Sequence, residues 1–238
     1  MSKRAIILAG GKGTRLKPYT VALPKPLVPV GKYPILEIII KQLVFYNFNR
    51  ITITVNHQAD IIKAYFGNGK KWHANIDYSF EEKPLSTIGP LTKIQNLPDD
   101  FLVMNGDVLT NLNYSDFFEY HLSRKNLFTI SGFRRIINSE FGVLELDHDN
   151  RLTGFSEKPK IHYTVSMGIY MINKSIMQFV PADTYFGFDN LMLKLIDINQ
   201  PVDVKIFDGY WLDIGRPDDY EQAVSEFEKN PLQFLPDA

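Results

Sequence analysis

Four cations, Lys12, Arg15, Lys17 and Lys25, share one stretch, AIILAGGKGTRLKPYTVALPKPL (residues 5–27), with Gly10, Gly11 and Gly13. Glycines leave backbone N–H groups unscreened by side chains, so a phosphate can approach the main chain closely. Clustered cations neutralise the anion that does so. The stretch is not a P-loop, because Lys12 is followed by Gly13 where that site needs Ser or Thr, and Leu16 stands where a dinucleotide fingerprint needs its third glycine. Pro18, Pro24 and Pro26 also discourage the immediate long helix on which both of those sites depend. The glycines alone fit a plain strand-to-loop turn equally well; the cations turn the reading towards a polyanion site.

Two aspartates offer a metal site. Asp107 in FLVMNGDV and Asp213 in YWLDIGRP each end an apolar run beside a glycine, which sets a carboxylate at the carboxyl edge of a sheet, where open α/β folds bind ligands. A pair of carboxylates there can hold a Mg²⁺ that keeps several waters and takes its other ligands from substrate phosphates. Each aspartate by itself equally fits a helix cap or a turn, and it is the adjoining phosphate loop that favours the metal. Glu157 and Lys158 in GFSEKP, echoed by Glu82 and Lys83 in FEEKP, offer a carboxylate to sugar hydroxyls and a lysine to a phosphate, although surface Glu–Lys pairs are common.

Other chemistries are excluded or unsupported. The chain has no cysteine, which removes thiol catalysis, zinc–thiolate sites and disulfides, and is compatible with a reducing cytoplasm. His57, His73, His121, His148 and His162 show no metal-ligand spacing, and no serine sits in a nucleophile elbow. Trp211, close to Asp213, is a candidate pocket wall.

The elements that must position these groups alternate in the first half. AIILA, ITITV, IDYSF and FLVMNGD read as strands, and ILEIIIKQLVFYN, ADIIKAYFGNG and YSDFFEYHLSRK as amphipathic helices, a pattern that predicts βαβ units and a parallel sheet. In the second half NLFTISGF, FGVLELDHDNRLTGFSEKP and VSMGIYMIN read as strands, two of them joined in a hairpin by Asp147-His148-Asp149-Asn150, so the sheet is expected to be mixed. FDNLMLKLID, VDVKIF and DDYEQAVSEFEK follow as helix, strand and helix, with Asp218 and Asp219 at the positive end of the last. The tail NPLQFLPDA is expected to fray or to serve assembly.

With 238 residues, 45% of them hydrophobic, the chain can bury one sizeable α/β core. Its 26 basic and 27 acidic residues give a formal net charge of -1, which offers no general attraction to nucleic acid or an anionic membrane. The apolar run near the N-terminus is too short for a signal peptide and none is long enough to span a bilayer, so a cytoplasmic protein is expected.

The motif series ILAGGKGTRLKPYT…PKPLVPV, NGDVL, FGVLELD…GFSEKP, SMGIY and WLDIGRPDDY resembles that of the sugar-1-phosphate nucleotidyltransferases, in the same order and over nearly the whole chain. The segment PLSTIGPL, residues 84–91, is most similar to that of the mannose- and heptose-1-phosphate guanylyltransferases. The resemblance implies a three-layer, Rossmann-like α/β fold with a mostly parallel, mixed sheet. It implies a single domain over 1–238, with a nucleotide half (1–110), a sugar-phosphate half (111–229) and a tail (230–238). The implied reaction joins an NTP, GTP favoured, to a sugar 1-phosphate, with Mg²⁺ as cofactor and release of pyrophosphate. A cytidylyl- or uridylyltransferase is the alternative, and a non-catalytic nucleotide-sugar sensor the more distant one.

By matched position, the resemblance gives the nucleotide to Leu8, Ala9, Gly10, Gly11, Gly13, Thr14, Arg15 and Lys25, Arg15 at the β- and γ-phosphates, with Thr87 and Gly89 near the base. It gives catalysis to Arg15, Lys25 and Asp107, the metal to Asp107 and Asp213, and the sugar phosphate to Asn105, Gly142, Glu157, Lys158, Ser166 and Gly168. Three positions depart from common members: Ser86 replaces a glycine, Phe141 stands where some members have tyrosine, and Ser166 where many have asparagine. The appended left-handed β-helix domain of many members is not in this sequence, so no acetyltransferase activity is expected. The apolar tail residues Leu232, Phe234 and Leu235 point to a homodimer.

Overall fold

The computed structural model describes residues 3–56 and 58–235, so His57 and the last three residues of the 230–238 tail lie outside the described residues. After strand β1 (Arg4–Leu8) the chain makes two single 3-10 turns, Thr14–Leu16 and Lys25–Leu27, then a short ladder of β2 (Pro29–Val30) with β3 (Tyr33–Pro34). Helix α1 (Ile35–Phe45) begins only there, the delay expected from three prolines in the preceding loop. The alternation continues through β4 (Arg50–Val55), α2 (Ala59–Phe66), β5 (Asn75–Phe80), β6 (Asp100–Asn105), β7 (Val108–Thr110) and α3 (Tyr114–Arg124). In α3, Asn113 caps the helix, its side-chain oxygen accepting from the Ser115 and Asp116 N–H groups at 3.0 and 3.1 Å.

The second half supplies β8 (Phe128–Asn138), the hairpin of β9 (Val143–Leu146) and β10 (Leu152–Ser156), and then β11 (Lys160–Asn173) and α4 (Phe188–Asp197). It ends with β12 (Asp203–Phe207), β13 (Trp211–Asp213), α5 (Pro217–Lys229) and α6 (Pro231–Phe234). Seven of these strands form one sheet in the order β12-β8-β11-β6-β1-β4-β5. All its pairs are parallel except those of β11 with β6 and β8. The mixed, mostly parallel sheet follows the expectation from the sequence, and both halves of the chain contribute strands to it.

Successive residues of the central strands enter opposite layers, as strand geometry requires. Ile7, Leu102, Met104 and Ile169 join one core beneath α1, α3 and α5, while Ile6, Phe101, Val103 and Tyr170 join a second core beneath α4. Covering both faces is what allows residues 5–8 of β1 and 101–104 of β6 to be apolar without a break.

Two expectations need correction. The strands read as NLFTISGF and VSMGIYMIN extend much further, because Arg134–Asn138 pairs with Lys160–Thr164 to form an arm beyond the core. Its side chains are mostly exposed, so no buried–exposed alternation marked it in the sequence. The tail is not frayed over its described part: Phe234 and Leu235 are buried, Phe234 packs on Tyr210 and Phe227, and its carbonyl accepts from Gln42 Nε2 at 2.9 Å. Two of the three apolar tail residues offered for assembly are therefore part of this chain's own core, and Leu232 alone of the three is exposed.

Candidate active site

The carboxyl ends of β1, β4, β5 and β6 open onto a cleft of about 460 Å³ whose walls include Leu8, Gly10, Gly11, Glu81, Asn105 and Asp107. Leu8 sits in register with Thr54 on one side and Asn105 on the other. Beyond Asn105 the chain crosses the end of β1, where the Gly106 N–H donates to the Leu8 carbonyl at 3.0 Å. A Cβ on Gly106 would lie 3.0 Å from that carbonyl oxygen and 3.3 Å from Ile7. Glycine thus permits the close crossing that carries Asp107 over the top of β1.

Asp213 arrives from the other direction. It pairs with Val108 at the end of the β7–β13 ladder, and the Ile214 N–H donates to the Asp107 carbonyl at 3.0 Å. Burial pushes the Asp213 carboxyl above the ordinary carboxylate value, the neighbouring Asp107 adds to the push, and Lys25 and Arg15 oppose it. The Asp107 Oδ1 atom is buried without a hydrogen-bond partner, while Oδ2 accepts from Lys25 Nζ. An orphaned carboxylate oxygen in such a place is an unmet demand for a cation or donor.

The cations are held by the loop's own geometry. Lys25 opens a 3-10 turn closed by the Leu27 N–H on the Pro24 carbonyl at 2.8 Å, and Pro26 and Leu27 are buried beneath it. Gly13 has φ +62, in the left-handed region, and a Cβ there would approach Thr20 to 3.0 Å and Lys25 to 3.2 Å, so glycine is required. The Thr20 hydroxyl fastens the same turn by donating to the Gly13 carbonyl at 2.7 Å. Thr14–Leu16 follows, anchored by the buried Leu16, and leaves Thr14 and Arg15 exposed. Arg15 Nη2, Asp213 Oδ2 and Asp219 Oδ2 all lie within 3.8 Å of the position a Cβ on Gly215 would take. A Cβ on Gly11, by contrast, would meet nothing within 4 Å.

The residues expected near the base divide. Thr87 borders the cleft, and its hydroxyl oxygen accepts from the Phe188 N–H at 2.9 Å. Gly89 is buried under that wall, where a Cβ would come 2.8 Å from the Thr184 carbonyl oxygen. Ser86, the departure from a common glycine, has φ +66, the backbone region in which glycine is unstrained and serine is not.

The sugar-phosphate set is likewise divided. Gly168, with φ +72, packs on Asn105, whose Nδ2 would be 2.5 Å from a Cβ there. Ser166 Oγ accepts from the Gly168 N–H at 3.2 Å and donates to Tyr170 Oη at 3.1 Å. These residues sit at an irregularity of β11, between Ser166 and Tyr170, that Trp211 stabilises by donating from Nε1 to the Met167 carbonyl at 3.0 Å. Gly142, Glu157 and Lys158 belong instead to the hairpin and its arm. Glu157 Oε2 lies 3.2 Å from a Cβ position on Gly142, Lys158 has φ +45, and neither charged group makes a hydrogen bond or ion pair among the described residues.

Asn56, Glu81 and Tyr185 border the cleft and were not singled out from the sequence, although Glu81 lies within FEEKP beside Glu82 and Lys83. Asn56 Nδ2 donates to the Gly10 carbonyl. Burial raises the Glu81 carboxyl above its ordinary value, partly offset by the Leu85 N–H that Oε2 accepts at 3.4 Å. Both residues are the first past a parallel strand, β4 and β5, and that position at the carboxyl edge was the available signal. Tyr185 comes from a distant loop and had none.

The family model described as nucleotidyl transferase matches residues 4–230. The chain is 32% identical to a UTP–glucose-1-phosphate uridylyltransferase of Synechocystis, over 93% of this chain and 62% of that one. It is 30% identical to a D-glycero-alpha-D-manno-heptose 1-phosphate guanylyltransferase of Aneurinibacillus thermoaerophilus, over 94% and 98% of the two chains. Among solved structures, HddC from Yersinia pseudotuberculosis complexed with GMP-PN superposes with a TM-score of 0.73 at 28% identity, covering 94% of this chain and 99% of that one.

Proposed function

This chain belongs to the nucleotidyl transferase family, and on that premise we propose that it joins an NTP to a sugar 1-phosphate to give a nucleotide sugar and pyrophosphate. The favoured pair is GTP with a mannose- or heptose-type sugar 1-phosphate. The observation that carries this reading is the meeting of Arg15, Lys25, Asp107 and Asp213 at one edge of a cleft floored by bare glycine backbone.

In the reaction a phosphate oxygen of the sugar phosphate attacks the α-phosphorus in line, a new P–O bond forms, and the bond to the bridging oxygen breaks with its electron pair leaving on pyrophosphate. The attacking oxygen is already ionised at neutral pH, so no side-chain base is needed. The protein's tasks are to align two anions and to neutralise charge that gathers on the bridging and equatorial oxygens. Arg15 and Lys25 are suited to the β- and γ-phosphates and the departing pyrophosphate, and the N–H groups of Gly10 to Gly13 to the phosphates' approach. The nucleotide half, 1–110, carries these groups and Asn105, and the half from 111 to 229 brings Asp213 and the other sugar-side residues.

The donor set fits magnesium. Two carboxylates, one with a buried orphan oxygen, suit an ion that keeps waters and phosphate oxygens as its remaining ligands. No cage of three or more such side chains occurs among the described residues. Asp107 and Asp213 would hold the ion, which when bound supplies charge neutralisation between the two phosphates.

Glu81 supports guanine. The base presents two adjacent donors, N1–H and the 2-amino group, that a carboxylate can accept together, whereas uracil offers one N–H between two acceptors. The Synechocystis relative keeps uridylyl transfer as the competing reading. Among the described residues no helix is long and apolar enough to cross a membrane, and the cysteine-free sequence fits work in the cytoplasm.

The test is pyrophosphate release with Mg²⁺ across four NTPs and a panel of sugar 1-phosphates. Release should require both substrates and be fastest with GTP. Release from an NTP alone, or from no pair, refutes the transferase reading.

A further inference from the structure

The segment 183–188, remote in sequence from the glycine loop, brings Tyr185 to the same cleft. It is laced to the loop at residues 85–89: the Phe186 N–H donates to the Leu85 carbonyl at 3.1 Å, and the Phe186 carbonyl accepts from the Ile88 and Gly89 N–H groups at 3.3 and 3.0 Å. At the start of the segment Asp183 takes Lys83 on one carboxylate oxygen at 2.7 Å and Lys93 on the other at 2.9 Å. Its backbone has φ +52, a left-handed conformation that aspartate enters more readily than most residues. The two exposed ion pairs contribute little energy; what they fix is where the turn points.

Two residues on, Tyr185 borders the cleft together with Gly10, Gly11 and Asn105. It is 69% exposed and makes no hydrogen bond or ring contact among the described residues. A large aromatic side chain is thus held at the mouth of a nucleotide-sized cleft with its face unoccupied. The loop it is laced to carries Ser86 and Thr87, which border the same cleft, as does Glu81, whose carboxylate accepts from the Leu85 N–H. Aromatic faces stack on nucleobases with little regard to which base is present, so such a ring adds affinity where Glu81 adds selectivity.

We propose that Tyr185 covers the face of the bound nucleoside and that Asp183, gripped by Lys83 and Lys93, is the residue that positions it. This rests on the nucleotidyltransferase reading. The experiment is calorimetric titration of the protein with GTP and Mg²⁺, alongside KM and kcat for both substrates. Tyr185→Ala should weaken GTP binding about 5- to 150-fold, the range that loss of a base–aromatic stack produces, with kcat at saturation largely kept. Tyr185→Phe should bind as the wild type does. Asp183→Ala should weaken GTP in the same direction by a smaller factor, again in KM rather than kcat, with an unchanged melting temperature. Wild-type GTP affinity in Tyr185→Ala, a defect confined to the sugar-phosphate KM, or failure of Tyr185→Phe to restore binding overturns the assignment. A wild-type protein that binds GTP without releasing pyrophosphate would overturn the enzyme reading instead, and the titrations would still decide Tyr185.

Discussion

Replacing Gly11 by alanine separates stability from activity at a single atom. The backbone of Gly11 lies outside the left-handed region, and the added Cβ meets nothing within 4 Å. Neither strain nor a clash therefore opposes the substitution, and the loss of unfolded-state freedom should stabilise the fold by about 0.4–1 kcal/mol. For a chain of this size that raises Tm by about 1–4 °C. On the proposed reading, the same empty space is the approach of a phosphate to the Gly10 and Gly11 N–H groups. Loss of one hydrogen bond to a charged partner costs about 1.5–3 kcal/mol, which corresponds to about a 10- to 150-fold rise in the KM for the NTP. Calorimetric melting and initial rates of pyrophosphate release read the two effects on one preparation. A raised Tm with an unchanged KM would show that the phosphates do not approach Gly11; a lowered Tm would show that the loop geometry is misread.

Three further outcomes follow from the same structure. Lys25→Ala should reduce kcat about a hundredfold, by analogy with removing one donor to a developing oxyanion, because it removes the cation set against Asp107; an unchanged kcat refutes the role. Phe234→Ala should cost about 3–5 kcal/mol, or about 6–20 °C in Tm, since its ring is fully buried between Tyr210 and Phe227; a loss within 2 °C would mean that the tail is not docked. His121 is buried, with Nδ1 at 2.7 Å from the Thr129 hydroxyl and Nε2 at 3.2 Å from Asp100. Burial lowers its pKa below the ordinary value, and Asp100 and Asp203 oppose this. Its contribution is complete above about pH 6.5. It is lost as pH falls below that value, because the unfolded chain takes up a proton that the folded one resists until its own lower pKa is passed. Denaturant unfolding at neutral pH and about pH 5.5 should show a smaller acid loss in His121→Gln than in the wild type; equal losses refute it.

Several features of the fold were legible because they arise from local rules. Apolar runs such as residues 5–8 and 101–104 read as strands covered on both faces, and the prolines at 18, 24 and 26 discourage an early helix. The glycines and prolines of residues 10–26 marked a long loop after β1 on the same grounds. The arm formed by Arg134–Asn138 and Lys160–Thr164 was not legible, because exposed strands are held by pairing with each other and carry no burial pattern. The tail misled for the converse reason: Phe234 and Leu235 look like free apolar residues until α5 and α6 fold them under Tyr210.

The sequence by itself determined a glycine-bared loop after a central strand, cations spread along it, and two aspartates at strand ends, since each depends on residue type and a few neighbours. Only the tertiary structure decided that Asp107 and Asp213 adjoin, that Lys25 rather than Lys12 or Lys17 reaches them, and that Glu81 and Tyr185 border the same cleft. Such meetings are set by which strands pair and which loops lace together, here β7 with β13 and residues 85–89 with 183–188. Those contacts join segments about a hundred residues apart, a separation across which the order of residue types carries no distance.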